Sequence, residues 1–168
     1  SDVKLVRYTD LKSACNDPEV DALMICTPNH THVDILCVAM ASGKPIFLEK
    51  PMATTLKDAA DIVKAADSYS SFLQIGLQYR YKAQYIEAFQ EVQSRGAIGA
   101  IKTISMSEYR PPFLDKVEQW NKFKKNTGGT LVEKCCHYFD LMNLAAEAKP
   151  KKVYASGGQG VNFLDFEQ

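Results

Sequence analysis

The sequence predicts an α/β protein in which a parallel sheet is followed by an α+β region. Three short apolar runs without polar alternation are typical of strands buried on both faces. Segments with helical periodicity separate these runs, and strands that alternate with helices form a parallel sheet with right-handed crossovers. The three predicted strands are Ala22–Cys26, Pro45–Leu48 and Phe72–Gly76.

Two helices are predicted between these strands. In "THVDILCVAMASG" the apolar residues recur at helical spacing, and Gly43 is a candidate carboxyl-terminal cap. In "TLKDAADIVKAADS" the same spacing recurs after Thr54 or Thr55, either of which is a suitable N-cap. The recurring residues of the first helix are Val33, Leu36, Cys37 and Met40. Those of the second are Leu56, Ala59, Ala60, Val63 and Ala66.

The periodicity changes in the second part of the chain. A further helix is predicted over "AQYIEAFQEVQSRG", which ends at Gly96. Alternation in Ile101–Arg110 then predicts a half-exposed antiparallel strand, and "KKVYASGG" predicts another. We therefore expect a boundary near Gln78–Tyr81, with the α/β region in residues 1–78 and part of an α+β domain with an antiparallel sheet in residues 79–168.

The stretch "GTLVEKCCHYFDLMNLA", Gly129 to Ala145, predicts one amphipathic helix. Thr130 and Glu133 have the spacing of a capping box. The predicted apolar side contains Leu131, Cys135, Tyr138, Phe139, Met142 and Ala146, and the polar side contains Glu133, His137 and Asp140. Periodicity alone does not distinguish a polar side that meets water from one that lines a cleft.

Composition excludes several classes of protein. Hydrophobic residues make up 46% of the chain, so a packed core is expected. Lys plus Arg and Asp plus Glu number 20 each, which gives no electrostatic footprint for nucleic acid or an anionic membrane. No apolar run approaches the ~18 residues of a membrane span. Five cysteines, an odd number, indicate a reducing, cytoplasmic setting.

Polar segments follow all three predicted strands. They are Thr27–His32, Glu49–Met52 and Leu77–Tyr81. Polar loops are common, but ligands of open parallel sheets bind beyond the carboxyl ends of the strands, and Lys50 lies directly at such an end. Pro51 disfavours helical geometry at Lys50 and permits a cis peptide bond between the two residues. A binding site is therefore expected at this edge.

Other candidate sites are weaker. His30 and His32 lie two residues apart, and Cys135, Cys136 and His137 are contiguous, which raises the alternative of a metal site. Adjacent helical residues point about 100° apart, so the contiguous trio does not converge on one ion, and no metal is expected. The aromatic pair of the long connection is expected to pack that loop or to frame a substrate pocket; it consists of Trp120 and Phe123.

Three motifs together give the sequence a family resemblance. "DALMICTPNHTHVDILCVAMASGKPIFLEKPMATT" closely resembles the Gfo/Idh/MocA family of NAD(P)-dependent oxidoreductases, which includes glucose–fructose oxidoreductase and inositol 2-dehydrogenase, and Glu49-Lys50-Pro51 matches its signature. "GLQYRY" is similar to the segment that begins the second domain of that family. "TGGTLVEKCCHYFDL" is similar to its Gly-Gly…acid…His helix. The resemblance implies a Rossmann-like first domain.

The resemblance also implies a function and a set of site residues. It implies a dehydrogenase that uses NAD or NADP and acts on a secondary hydroxyl of a sugar, inositol or related cyclic polyol. Lys50 is then expected beside the nicotinamide and the reacting carbon, and His137 in the substrate site. Glu133 stands where the family usually has aspartate. The implied cofactor-binding residues are Thr27, Pro28, Asn29, His32, Glu49, Lys50 and Arg80, the last at the domain junction.

The proton acceptor remains open between two side chains. A free lysine is mostly protonated at neutral pH, although desolvation in a closed cleft favours the neutral amine. An imidazole titrates near neutral pH, and Glu133 is suitably spaced to orient that of His137. Both Lys50 and His137 are therefore expected to contact the reacting hydroxyl.

One departure from the family concerns the cofactor phosphates. The sequence contains no G-x-G-x-x-G turn of the kind that cradles a dinucleotide pyrophosphate. We therefore expect a fragment that lacks the N-terminal Gly-rich βαβ unit and the C-terminal part, and that associates as a homo-oligomer through the second domain. The alternatives are a non-catalytic nucleotide- or sugar-binding module and an inactive fragment. The presence of both Lys50 and His137 favours an enzyme.

Overall fold

The chain forms two units, residues 1–76 and 77–168. The structure, a computed structural model, describes residues 5–109, 111 and 113–158. The first unit contains a parallel sheet with helices, and the described part of the second unit contains helices and connecting segments.

Three parallel strands form the sheet of the first unit. They are β1 (Leu23–Ile25), β2 (Ile46–Glu49) and β3 (Leu73–Gly76), and β2 lies in the centre. The register places Ile25 opposite Leu48 and Leu48 opposite Ile75. All three predicted strands and their parallel direction are confirmed, and their carboxyl ends therefore lie along one edge of the sheet.

Three helices accompany this sheet. They are α1 (Leu11–Asn16), α2 (His32–Met40) and α3 (Leu56–Asp67), and the second and third confirm the helices predicted between the strands. Gly43, which follows α2, has a φ of 69°, and its N–H donates to the carbonyl of Met40. Thr55 is the N-cap of α3, since its hydroxyl oxygen accepts a hydrogen bond from the N–H of Asp58 at 3.1 Å.

The core of the first unit lies between the sheet and the helices. Its buried residues are Cys15, Ile25, Leu36, Ala39, Ile46, Leu48, Ala53 and Ile62. The predicted inward face of α3 is partly wrong, because Leu56 is 88% and Val63 is 51% exposed while Ile62 is buried. At about 100° per residue, Ala59 and Ala66 lie within about 60° of Ile62 and are partly buried with it, so the buried face is rotated away from Leu56 and Val63. Cys37, predicted to face the core from α2, is exposed.

The second unit begins with a 3₁₀ turn at Gln78–Tyr81, followed by α4 (Ala83–Phe89). A π-helical turn, Gln90–Ser94, extends α4 over most of the predicted helix. A 3₁₀ segment at Val117–Lys122 then leads into three further helices. These are α5 (Lys124–Thr127), α6 (Thr130–Glu133) and α7 (Cys136–Ala146).

The two strands predicted in this unit are not formed in its described residues. Residues 101–109 and 151–158 carry no strand, and Arg110, the last residue of the first prediction, lies outside the described residues. A strand needs a neighbour with which to exchange ladder hydrogen bonds, and alternation of polar and apolar residues does not supply one. The alternating pattern alone therefore does not produce the antiparallel sheet here.

The helix predicted over Gly129–Ala145 is broken in the structure. α6 ends at Glu133, and α7 begins at Cys136 after a turn at Lys134 and Cys135. The predicted capping box is wrong, because Gly129 is the N-cap of α6 and Thr130 is already its first residue. Gly129 has a φ of 86°, a conformation that glycine adopts without steric cost.

The break changes which side chains face inward. The buried positions are Lys134, His137 and Leu141, whereas Leu131 is 63% and Phe139 is 52% exposed. The side predicted to be polar therefore contributes a buried histidine, and the prediction that Leu131 and Phe139 pack inward is wrong. A single helical wheel drawn through both helices does not apply across a turn that resets their relative rotation.

Two further findings concern the whole described chain. None of its helices is long and apolar enough to cross a membrane. All five cysteines are free thiols.

Replacing Thr55 with alanine removes the N-cap of α3. We expect the free energy of unfolding to fall by about 1 kcal/mol, since the N–H of Asp58 loses its side-chain acceptor. Urea denaturation followed by circular dichroism measures this change. Thr54→Ala, the same substitution one residue earlier, is the matched control, and an equal loss in both variants would contradict the capping role.

Candidate functional site

A buried histidine joins the segments that follow β1 and β2. The side chain of His32 is fully buried, with Nδ1 2.9 Å from the carbonyl oxygen of Pro51 and Nε2 3.0 Å from that of Thr27. The hydroxyl of Thr31 donates to the carbonyl of Pro28 and closes the turn at Asn29. The imidazole therefore links two strand ends and holds the backbone of both.

Lys50 lies at the end of the central strand. Its N–H donates to the carboxylate of Glu49 at 3.1 Å, so this carboxylate folds back along its own backbone. The peptide bond between Lys50 and Pro51 is cis, in agreement with the sequence hypothesis. Lys50 is partly exposed, whereas the next residue, Pro51, is buried. The side chain of Lys50 therefore starts from a backbone that the buried proline holds in place.

The end of β3 lies against the same carboxylate. Gly76 is buried, and a Cβ atom added to it would lie 3.0 Å from Cζ of Phe47 and 3.1 Å from Oε2 of Glu49. These distances are shorter than van der Waals contact, so only glycine fits here without a shift of its neighbours. Gly76 thus allows β3 to pass close to the strand end that carries Glu49 and Lys50.

The other predicted cofactor residues of the first unit occupy the edge at the strand ends. Asn29 is buried, Pro28 is partly buried and Thr27 is exposed. Together with the held backbone at Thr27 and Pro51, they line the edge at the strand ends, where Thr27, Glu49 and Lys50 supply a hydroxyl, a carboxylate and an amine that reach the surface. Groups of these kinds are able to form hydrogen bonds with the ribose and amide of a nicotinamide nucleotide.

His137 is buried in the second unit and stacked on a tyrosine. The ring centroids of His137 and Tyr79 are 4.0 Å apart, with an angle of 8° between their planes. Tyr79 belongs to the 3₁₀ turn at Gln78–Tyr81, and His137 belongs to the first turn of α7. The family resemblance predicts that His137 is a site residue, but it gives no indication of Tyr79, because nothing local in the sequence signals a contact between residues so far apart.

Lys134 is a second residue that the sequence did not reveal. It is buried at the break between α6 and α7, and its Nζ donates a hydrogen bond to the hydroxyl of Tyr79. This hydrogen bond lowers the pKa of Tyr79 below its usual value. Burial raises the pKa of Tyr138, with the negative charge of Glu108 adding to the effect. The region around His137 thus contains a lysine, two tyrosines and a carboxylate.

Arg80 forms a two-pronged ion pair within the second unit. Its Nε donates to Oδ2 of Asp140 at 2.7 Å, and Nη2 donates to Oδ1. This pairing raises the pKa of Arg80. Asp140, which the helical wheel grouped with Glu133 and His137, is therefore engaged by the residue that follows Tyr79. Glu133 is partly exposed at the end of α6, four residues before His137.

Neither candidate metal group comes together in the described residues. These residues contain no cluster of three or more His, Cys, Asp or Glu side chains suited to a metal ion. Both ring nitrogens of His32 face backbone carbonyls, and His30 is exposed.

Removing the imidazole of His32 should loosen both strand ends. We expect His32→Ala to lower the free energy of unfolding by about 3 kcal/mol, because it leaves a cavity and removes the buried polar link between the two segments. Chemical denaturation measures the loss. His30→Ala changes an exposed histidine two residues earlier and should alter stability by less than about 0.5 kcal/mol. Equal effects would show that the link contributes little.

A methyl group at Gly76 should be costly because of its neighbours. We expect Gly76→Ala to destabilise the protein by about 1–3 kcal/mol, since Phe47 or the backbone of Glu49 must move. Gly157→Ala is the matched control, because a Cβ atom there meets nothing within 4 Å. Thermal denaturation of both variants tests the close approach, which a neutral Gly76→Ala would refute.

Comparisons with known proteins identify the relatives of both units. The family model described as an oxidoreductase family with an NAD-binding Rossmann fold matches residues 1–77. A second model, described as the C-terminal alpha/beta domain of that oxidoreductase family, matches residues 94–164. The parallel sheet and its helices are thus Rossmann-like, and NAD(P) is the cofactor of the matched family.

Individual relatives agree with these matches. The rhizopine catabolism protein MocA of Rhizobium meliloti is 30% identical over 132 residues, which cover 79% of this chain and 40% of that protein. Inositol 2-dehydrogenase of Paracoccus denitrificans is 39% identical over 80 residues, which cover 47% of this chain and 24% of that enzyme.

A solved structure shows the same fold. The myo-inositol 2-dehydrogenase of Lactobacillus plantarum superimposes with a TM-score of 0.64 at 22% identity, covering 83% of this chain and 41% of that one. The chain spans less than half the length of the curated relatives that it matches. With both of its units matched in order, the chain belongs to the Gfo/Idh/MocA family of oxidoreductases.

Proposed function

We propose that the protein is an NAD(P)-dependent dehydrogenase that oxidises a secondary hydroxyl of a sugar, an inositol or a related cyclic polyol. The observation that carries this proposal is the position of Lys50, directly after the central strand of the parallel sheet and inside the sequence Glu-Lys-Pro. The named relatives support the substrate class, since they include inositol 2-dehydrogenases.

The oxidation of a secondary hydroxyl has two parts, the transfer of a hydride and the removal of a proton. A hydride leaves the carbon that bears the hydroxyl, and the nicotinamide of the bound cofactor supplies the acceptor for it. The hydroxyl proton must pass to a base within hydrogen-bond reach, which contributes typically about 10²–10⁴ in rate. The side chains of this chain therefore have to hold the alcohol and take up its proton.

Lys50 is our candidate for contact with the reacting hydroxyl from the first unit. Its backbone is held by the carboxylate of Glu49 on one side and by Pro51, whose carbonyl contacts His32, on the other. Because the backbone of Lys50 is constrained, its conformational freedom is confined to the side-chain torsions. In the proposal, Glu49 and the segment Thr27–His32 bind the nicotinamide end of the cofactor.

His137 is our candidate for a further side chain that contacts the substrate hydroxyl, and Glu133 for the carboxylate that orients it. The imidazole is buried against Tyr79, which suits a group whose plane must be fixed. Histidine exchanges protons near neutral pH and is a frequent acid or base in catalysis. We also propose that Arg80, whose ion pair with Asp140 holds the turn at Gln78–Tyr81 to α7, takes part in cofactor binding.

Substituting Lys50 by arginine tests the proposed role of its amine. A guanidinium keeps its proton at neutral pH, so we expect kcat for polyol oxidation by the full-length protein to fall by about 10²–10⁴. Lys57→Arg, at an exposed residue of α3 that pairs with Asp61, is the matched control and should leave kcat unchanged. NAD(P)H fluorescence checks that the Lys50→Arg variant still binds cofactor. A variant that keeps most of its kcat would overturn the role.

The combination of Lys50→Arg with His137→Asn shows whether the two side chains serve one step. Residues that act as a unit give strongly non-additive losses, so the double variant should be little slower than the slower single variant. Independent, additive losses would contradict a shared hydroxyl. A protein that binds NAD(P)H but oxidises no sugar, inositol or diol would instead be a sensing or binding module.

We further propose a cytoplasmic protein that forms a homo-oligomer through its second unit. Five free thiols are typical of a reducing compartment. The second unit exposes several large apolar side chains, which supports the expectation that this part of the chain is covered by another subunit. These side chains are Ile98, Tyr109, Leu114 and Val117.

A further inference from the structure

The ring of Tyr79 is the most heavily contacted group near His137, and the proposed reaction does not use it. On one face of the phenol ring lies the imidazole of His137, nearly parallel at 4.0 Å. Nζ of Lys82 also lies over this ring, 3.7 Å from its centroid. Two groups centred over one ring at such distances do not fit on one face, so the imidazole and the ammonium occupy opposite faces.

Three further side chains surround the ring of Tyr79. Lys134 donates a hydrogen bond to the phenol hydroxyl, and its Nζ lies 4.7 Å from the ring centroid. Tyr138 meets the ring edge-on at 6.0 Å, and Tyr85 stacks at 5.9 Å. Tyr79 is therefore restrained on both faces and at its hydroxyl, and its plane has little freedom to rotate.

The break between α6 and α7 makes this arrangement possible. Lys134 lies in the turn between the helices and is buried, so its ammonium reaches the hydroxyl of Tyr79 from the same segment that carries His137. Glu108 lies 3.9 Å from the same ammonium and offsets part of its charge. One short segment thus supplies both the imidazole and the cation that holds the ring beneath it.

From these contacts we propose that Tyr79 is the positioning residue of His137: the phenol ring fixes the plane of the imidazole, and Lys134 fixes the phenol ring through its hydroxyl. The proposal rests on the proposed function, in which His137 contacts the reacting hydroxyl. Stacking leaves both imidazole nitrogens at the ring edge, where they are able to form hydrogen bonds. The same stack prevents the ring from rotating away from a productive direction.

Positioning of this kind has a measurable effect on rate. A displacement of about 1 Å in a reacting group costs as much as about 10²-fold in rate. The stack therefore predicts a loss in kcat when the ring at position 79 is removed, with a smaller loss when only its hydroxyl is removed. The lowered pKa of Tyr79 agrees with a hydroxyl held by an ammonium.

The first test observes the stack directly and needs no variant of Tyr79. In the full-length protein with labelled histidine and tyrosine, nuclear Overhauser effects should connect the imidazole protons of His137 with the ring protons of Tyr79. Ring current should shift those imidazole protons upfield, and His137→Gln assigns them by their disappearance. Absence of both signals overturns the proposal.

The second test compares three variants by kinetics. Tyr79→Leu removes the ring and should lower kcat by about 10- to 100-fold with little change in KM. Tyr79→Phe keeps the ring and should restore most of the activity, and Lys134→Met should resemble it. Tyr154→Leu, at an exposed tyrosine elsewhere in the second unit, is the matched control and should behave as the unaltered protein. Equal kcat values for Tyr79→Leu and the unaltered protein would overturn the proposal.

These results separate the two hypotheses. If His137→Asn retains full kcat while the Overhauser effects and upfield shifts are present, the proposed function of His137 fails and the stack remains. If His137→Asn loses activity but the signals are absent, the positioning role fails alone. Should Tyr79→Leu not fold, Tyr79→Phe decides: a full loss of activity with the ring retained would contradict positioning by stacking.

Discussion

The contact between one buried imidazole and two backbone carbonyls is the constraint on which the first unit's candidate site depends. His32 holds the segment after β1 to the segment after β2, and the second of these carries Lys50. Because a buried imidazole without hydrogen-bond partners is costly, this contact restrains both segments at once. Gly76 adds a close approach from β3. Side chains of ordinary flexibility are thereby attached to a backbone with little freedom.

The sequence was most informative where the signals are local. Apolar runs without alternation marked β1 to β3, since strands covered on both faces need no polar side. The N-cap of α3 is one of the two threonines that the sequence offered. Capping depends on a hydroxyl oxygen that accepts a hydrogen bond from the N–H three residues later. Lys50 was placed correctly at a strand end by the proline that follows it. Each of these features is decided within a few residues.

Features that depend on distant contacts were not accessible in this way. Lys134 is a charged residue in an apparently regular helix, and only the contact with Tyr79 explains its burial. The break at Lys134 and Cys135 rotates α7 relative to α6, so the faces predicted for one continuous helix are wrong. Ile62 is buried in place of Leu56 and Val63 because α3 turns the side with Ala59, Ile62 and Ala66 toward the sheet, a rotation that depends on tertiary packing and not on local sequence.

The adjacent residues Tyr79 and Arg80 tie one turn to α7 by two different forces. The side chain of Arg80 is 43% exposed and that of Asp140 is 11% exposed, so dissolved ions reach one end of this pair. The aromatic stack on His137 has no comparable dependence on ionic strength. Concentrated salt should therefore loosen the middle of α7 before it disturbs the first turn. Ionic strength would then affect the middle of α7, at Asp140, more than its first turn, which carries the imidazole of His137.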